Sequence, residues 1–196
     1  MAPTLTLSLD PEADALLSRD PLALLIGMVL DQQVPLEKAF RGPYDLQRRL
    51  GGEPLDAAAL ADMDNGELTA AFVTPPALHR YPAAMAARVQ QLCRMVVADH
   101  GGEAERIWRE ASDGADLLAR VKVLPGFGDQ KARIFVALLG KQLGVDVPGW
   151  REAAGPYGEE GTRRSVADIT GPETLAEVRA YKQQMKAAAK AAKTKP

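Results

Sequence analysis

Leu124-Pro125-Gly126-Phe127-Gly128 sets a Gly-x-Gly turn between two amphipathic segments. Ahead of it, Leu117, Leu118 and Val121 fall on one helical face; behind it, Ala132, Phe135, Val136, Leu139 and Leu143 recur at three- and four-residue spacing. Helices joined this tightly need glycine in the turn, because positive φ is costly with a Cβ. The second helix then begins at the turn, where its unpaired N–H groups and positive dipole end face outward together. That arrangement is an anion site suited to a nucleic-acid phosphate. A plain helix–turn–helix corner with no ligand has the same pattern, and both readings stand on these residues alone. A dinucleotide-binding fingerprint does not fit: no strand precedes the glycines and its third glycine is missing.

The string Leu124 to Ala132 resembles the helix-hairpin-helix of the base-excision DNA glycosylases related to endonuclease III and alkyladenine glycosylase (the HhH-GPD group). Their pattern is Leu-Pro-Gly-aliphatic-Gly, three variable residues, then alanine; here Phe127 takes the aliphatic place and Ala132 the small one. A second block, Leu24 to Phe40, resembles that family's apolar helix ending in a Gln-Gln or Ala-Gln turn. Tyr81 to Leu92 looks like the small-residue helix that precedes the hairpin in relatives. The likeness runs in order over residues 20–150.

The resemblance implies an all-α fold of two helical lobes with a cleft between them. One lobe covers about residues 20–110, and the other the N-terminal arm 1–19 with 111–196, carrying the hairpin 113–143. It implies that Leu124, Gly126, Phe127 and Gly128 clamp a DNA phosphate. Gln32 and Gln33 would approach the gap left by a flipped nucleotide, with amides that donate and accept. Against that stands a polar pair in a helix-breaking turn before Pro35. Relatives also supply an aspartate after the second hairpin helix, which stabilises positive charge on the sugar and orients water. Asp146 is the acid in that segment, twenty residues past Gly126; it reads equally as a cap before Pro148.

Bifunctional relatives carry a lysine nucleophile two residues after the second glycine. Gln130 stands there, and an amide forms no Schiff base. The expected enzyme is therefore a monofunctional glycosylase that uses water, with an alkylated purine as the foremost substrate class. Gln130 either reads the flipped base or sits at the rim. Lys131 either touches a backbone phosphate or is solvated. Flipped bases need a flat apolar partner, for which Trp150 and Tyr44 are candidates, each also readable as packing. Asp129 and Asp31 depart from the family: an anion beside a phosphate site opposes binding, and Asp31 could back up or replace Asp146. No cofactor is expected, except a monovalent cation at the hairpin when double-stranded DNA is bound. A DNA-binding relative without catalysis and a protein-binding helical scaffold are the competing readings.

Composition bounds these readings. A 196-residue chain with 46% hydrophobic residues can bury a substantial core. Cys93 is the single cysteine, which excludes intrachain disulfides and a four-cysteine iron–sulfur cluster and fits a reducing cytoplasm. His79 and His100 lack ligand spacing, so no metal site is expected. The longest apolar run, Leu22 to Leu30, is too short to span a membrane. No signal peptide is read at the N-terminus, and the expected location is cytoplasmic, at the nucleoid when DNA is bound.

The net charge is −2, yet Arg179, Lys182, Lys186, Lys190, Lys193 and Lys195 form a basic tail 179–196 without acids. The body keeps 18 basic against 26 acidic residues, a net charge of −8. Binding to a polyanion therefore requires a local patch. Lys182, Lys186 and Lys190, four apart, would line one stripe, either as DNA contacts or as a solvated helix end.

The elements that must position these residues read as helices. Leu5, Leu7 and Leu9 alternate like a short extended arm, and Asp10-Pro11 and Asp20-Pro21 each open a helix. Further helices are predicted over about 35–50, 56–62, 65–73, 82–99, 103–111, 113–122 and 129–143. Residues 155–164 read as a loop, and Thr170 with Glu173 as a capping box for a final helix.

Overall fold

The computed structural model describes residues 4–193, and among them all regular structure is helical. Asp10 and Asp20 open the first two helices as the sequence predicts. The Asp10 carboxylate accepts from the N–H groups of Glu12 and Ala13, and that of Asp20 from Leu22 and Ala23, with proline at the first helical position each time. Helix α1 spans Pro11–Arg19 and α2 Pro21–Leu30. Every residue of α2 after Pro21 is buried, as expected of a helix apolar all round. It packs against α1 and two later helices. Helix α3 (Leu36–Arg49) lies close against it, since a Cβ on Gly42 would stand 2.5 Å from Leu30 and one on Gly27 2.8 Å from the Phe40 ring.

Helices α4 (Ala57–Asp62) and α5 (Asn65–Val73) pack on the long α6 (Pro82–His100). The buried Gln90 ties them, donating to the carbonyls of Leu60 and Met63. After α7 (Arg106–Arg109) come α8 (Gly114–Lys122) and α9 (Asp129–Gln142), then α10 (Trp150–Ala154), which packs on both. Helix α11 (Pro172–Lys193) closes the described chain. Lys195, part of the expected basic tail, lies outside the described residues. The buried side chains form one continuous apolar cluster.

Four expectations are corrected. The N-terminal segment forms no strand. Leu5 and Leu7 are buried, but Leu9 is exposed with φ 60°. The segment is held by Asp14, whose buried carboxylate accepts from Leu7 N–H, Ser8 N–H and the Ser8 hydroxyl. The predicted helix 103–111 shrinks to Arg106–Arg109, because Gly101 and Gly102, both at positive φ, reverse the chain and the next turns close on shorter three-residue bonds. Residues 155–164 contain one short 3₁₀ turn, Gly155–Tyr157. The last helix is capped by Thr174, not by a Thr170–Glu173 box: its hydroxyl accepts from Thr170 N–H and Gly171 N–H. A true capping box sits just upstream, between Ser165 and Asp168.

Candidate nucleic-acid interface

Residues 123–128 join α8 to α9, and Phe127 N–H closes the turn on the Leu124 carbonyl. Leu124 and Phe127 are buried, and the Phe127 ring meets Phe135 edge-on with centroids 5.7 Å apart. The apolar half of the motif is thus an anchor that fixes the glycines. Gly126 has φ 86°, and a Cβ there would meet Arg88 at 3.0 Å and Val29 at 3.6 Å. Gly128 is different. Its φ of −78° suits any residue, a Cβ would meet nothing within 4 Å, and it caps α9 without any side-chain acceptor. The start of α9 thus has no side-chain cap, and the Cβ direction of Gly128 faces open space.

The two sequence blocks meet here. Gly126 faces Val29, and Lys131 on the first turn of α9 donates to the Met28 carbonyl at 2.7 Å. Immediately after α2 the chain turns through 31–35. Gln32 is engaged on both ends: its amide N–H donates to the Val29 carbonyl, and its oxygen accepts from Arg88 of α6 at 3.3 Å. Gln33 is exposed at φ 55°, a left-handed conformation uncommon outside glycine. Its side chain makes no hydrogen bond among the described residues.

His79 supports this turn from behind and is almost fully buried. Tyr81 N–H donates to its Nδ1, so the proton sits on Nε2, which donates to the Gln32 carbonyl at 2.8 Å. Burial pushes the His79 pKa down, which keeps the ring in this neutral form.

Asp31 ends α2 as its C-cap. Burial pushes its carboxyl pKa up, and the charges of Lys182 and Lys131 offset part of that rise. The carboxylate accepts no hydrogen bond among the described residues, and neither lysine comes within ion-pair distance of it. Lys131 shows the mirror effect: burial lowers its pKa, with Asp31 opposing and Arg88 and Lys182 adding to the fall. Asp31 is thus a half-buried carboxylate with no hydrogen-bond partner among the described residues, set near cationic side chains.

At the mouth of the turn Asp129 does not cap α9; Gly128 holds that position. Instead Asp129 accepts from Lys122 and Arg133, each at 2.8 Å, and those bonds hold its carboxyl below the usual range. Lys122, Lys131 and Arg133 stand against Asp129 and Asp31, so the cluster is net cationic inside an acidic body. Gln130 donates to the Tyr157 hydroxyl at 2.9 Å, at the same rim.

Three other candidates lie away from this cluster. Asp146 is exposed in the loop after α9. In that loop the Pro148 carbonyl accepts from Gly114 N–H at the start of α8, so it sits at the end of the hairpin opposite the turn. Fourteen helical residues separate those ends, roughly 20 Å. Trp150 is buried on Gly140, where a Cβ would stand 2.4 Å from its ring, and the Arg151 guanidinium covers it at 4.3 Å. Both its faces are occupied. Tyr44 donates to Glu12 on the α1–α3 seam, with Arg48 over its ring. Helix α1 packs on α2 and α3, so residues 11–19 sit with the first half of the chain.

The expected cation at the hairpin would use turn carbonyls. That of Leu124 accepts from Phe127 N–H, and that of Val121 already accepts from both Val123 and Leu124 N–H. Among the described residues no group of three or more His, Cys, Asp or Glu could hold a metal ion, and no helix is long and apolar enough to cross a membrane. Comparison with family models, with curated proteins and with solved structures finds no match.

Proposed function

We propose that this chain is a monofunctional DNA glycosylase in which Asp31, not Asp146, is the carboxylate that assists base removal. The observation that carries this reading is the half-buried Asp31 carboxylate, without a hydrogen-bond partner among the described residues, at the end of the helix whose Met28 carbonyl holds Lys131. In this reading the N–H groups at Gly128 and the Lys122–Lys131–Arg133 rim take the phosphates of a duplex. Gln33, exposed where Gln32 is tied down, faces the space left by the extruded nucleotide. In this reading the Met28–Lys131 contact would form the floor of the cleft that receives the duplex.

The chemistry follows from charge. As the N-glycosidic bond breaks, the electron pair leaves with the base and positive charge builds on the deoxyribose. An anionic Asp31 stabilises that charge, and its raised pKa makes it a better acceptor for the proton of the attacking water. Lys131 is held by Met28 and serves to keep Asp31 ionised. Gln130 cannot supply an amine, so no covalent enzyme–sugar intermediate is required. An alkylated purine suits the mechanism, because its positive charge already weakens the bond to the sugar. A bound monovalent cation would add fixed positive charge at the phosphate, and no step depends on it.

The test is base release from duplexes carrying one lesion each (alkylated purine, uracil, hypoxanthine, oxidised guanine). Asp31→Asn should reduce release by about 10²–10³-fold or more, while Asp146→Asn should leave it near wild type. Release that survives Asp31→Asn removes Asp31 from the reaction. Binding to damaged duplex without any release favours a non-catalytic DNA-binding protein.

A further inference from the structure

Helix α11 has two unlike halves. Leu175 and Val178 are buried and Tyr181 is half-buried, whereas every residue over 182–192 is exposed, Met185 by 52%. A helix with no buried face gains nothing from the core, and its persistence rests on the high helix propensity of its Ala and Lys residues. Its acids, Glu173 and Glu177, lie in the anchored half; from Arg179 onward the charges are all positive. The anchor is specific. Arg179 pairs with Glu37 on the first turn of α3, next to the Gln32–Gln33 turn. One turn further, Lys182 stands close enough to Asp31 to oppose the upward push of burial on its carboxyl.

Resting on the duplex-binding reading above, we infer that the exposed half of α11 is a second phosphate-contacting arm, carrying Lys182, Lys186 and Lys190 onto the backbone of the same duplex that the glycine turn holds. Two arguments favour a nucleic-acid occupant. The body repels polyanions at −8, so attraction must be built locally, and the lysine stripe starts at the candidate site and runs outward from it. Successive lysines four apart climb about 6 Å per step. The stripe thus spans roughly 12 Å, three to four base pairs of duplex at 3.4 Å per step.

The experiment measures binding of a fluorescent duplex containing an abasic-site analogue, from about 50 to 200 mM salt. It uses wild type and the triple variant Lys182→Gln/Lys186→Gln/Lys190→Gln, whose helix content is checked by circular dichroism. The logarithmic salt slope should fall by about 2–3, close to 0.9 per lost phosphate contact, with affinity at low salt down by tenfold or more. A control, Arg106→Gln/Arg109→Gln on α7, should leave the slope unchanged. An unchanged slope in the triple variant overturns the arm while leaving the glycine turn as the binding site. Failure of wild type to bind duplex overturns the duplex-binding reading itself. Loss of binding to phosphatidylserine vesicles alongside an unchanged duplex slope would assign the arm to an anionic surface instead.

Discussion

The ammonium of Lys131 lies 2.7 Å from the main-chain carbonyl of Met28, across 103 positions of sequence. This contact joins the first turn of α9 to the last turn of α2, and it places a cation beside Asp31. Lys131→Met keeps the side-chain stem but leaves the carbonyl without its donor. Unfolding in urea should show a loss of about 1 kcal/mol. With the cation gone, the Asp31 pKa rises further, so the acidic limb of the pH–rate profile for base release should move to higher pH. A profile that stays in place disconnects the two residues.

Gly126 and Gly128 separate fold from function. Gly126→Ala forces a Cβ into positive φ and against Arg88, and should cost about 1–2 kcal/mol. Gly128→Ala meets open space in an ordinary conformation and should cost under about 1 kcal/mol, yet its methyl stands where a phosphate would approach. Tm and duplex affinity measured together decide the matter. A Gly128→Ala protein that melts normally and binds duplex as wild type does would show that the turn is only a corner.

Gln33 holds a left-handed backbone with an exposed side chain. Gln33→Gly relieves that strain and should stabilise the folded state by up to about 1 kcal/mol. If the glutamine meets the flipped-out nucleotide's vacated position, the same variant should bind lesion duplex more weakly while binding intact duplex equally. Stability rising with lesion affinity unchanged would assign the strain to the turn alone.

His79 makes stability depend on pH in a definite direction. Its folded pKa lies below the unfolded value of about 6.5. Between the two values the unfolded chain binds a proton that the folded chain does not, so stability increases with pH there. The contribution is complete above the unfolded pKa and is lost as pH falls through the window below it. Protonation also removes the acceptor for Tyr81 N–H. Tm across this range should fall toward acid for wild type and fall less for His79→Gln. His100, also lowered by burial, adds a parallel trend, which His100→Gln subtracts.

What could be read in advance divides by range. Asp10 and Asp20 act on N–H groups two or three residues away, and Gly126 on its own φ, so a linear string suffices for them. Most helix positions were legible for the same reason, since periodicity is local, although α7 was read too long and α10 was not read at all. Arg88 carried no signal of its own inside the small-residue helix, because its place between Gln32 and Gly126 depends on how α6 packs on α2. His79 gave no signal because it acts on a carbonyl 47 positions earlier. Asp146 illustrates the reverse case. The family resemblance singled it out as the acid after the second hairpin helix, yet a straight helix carries it to the end opposite the glycine turn. Trp150 likewise depended on Gly140, whose missing side chain admits the indole.

Both tryptophans of the chain touch α9: Trp108 meets Phe135 edge-on at 5.9 Å, and Trp150 lies on Gly140. None lies on α3, α4, α5 or α6. Intrinsic emission is therefore a one-sided optical probe. It will redden when the hairpin separates from α10 and stay silent if only the opposite half melts. Far-ultraviolet ellipticity, which counts every helix alike, supplies the complementary trace. Superimposable curves from the two probes would make the chain a single cooperative unit, and divergent curves would give the hairpin half a melting temperature of its own.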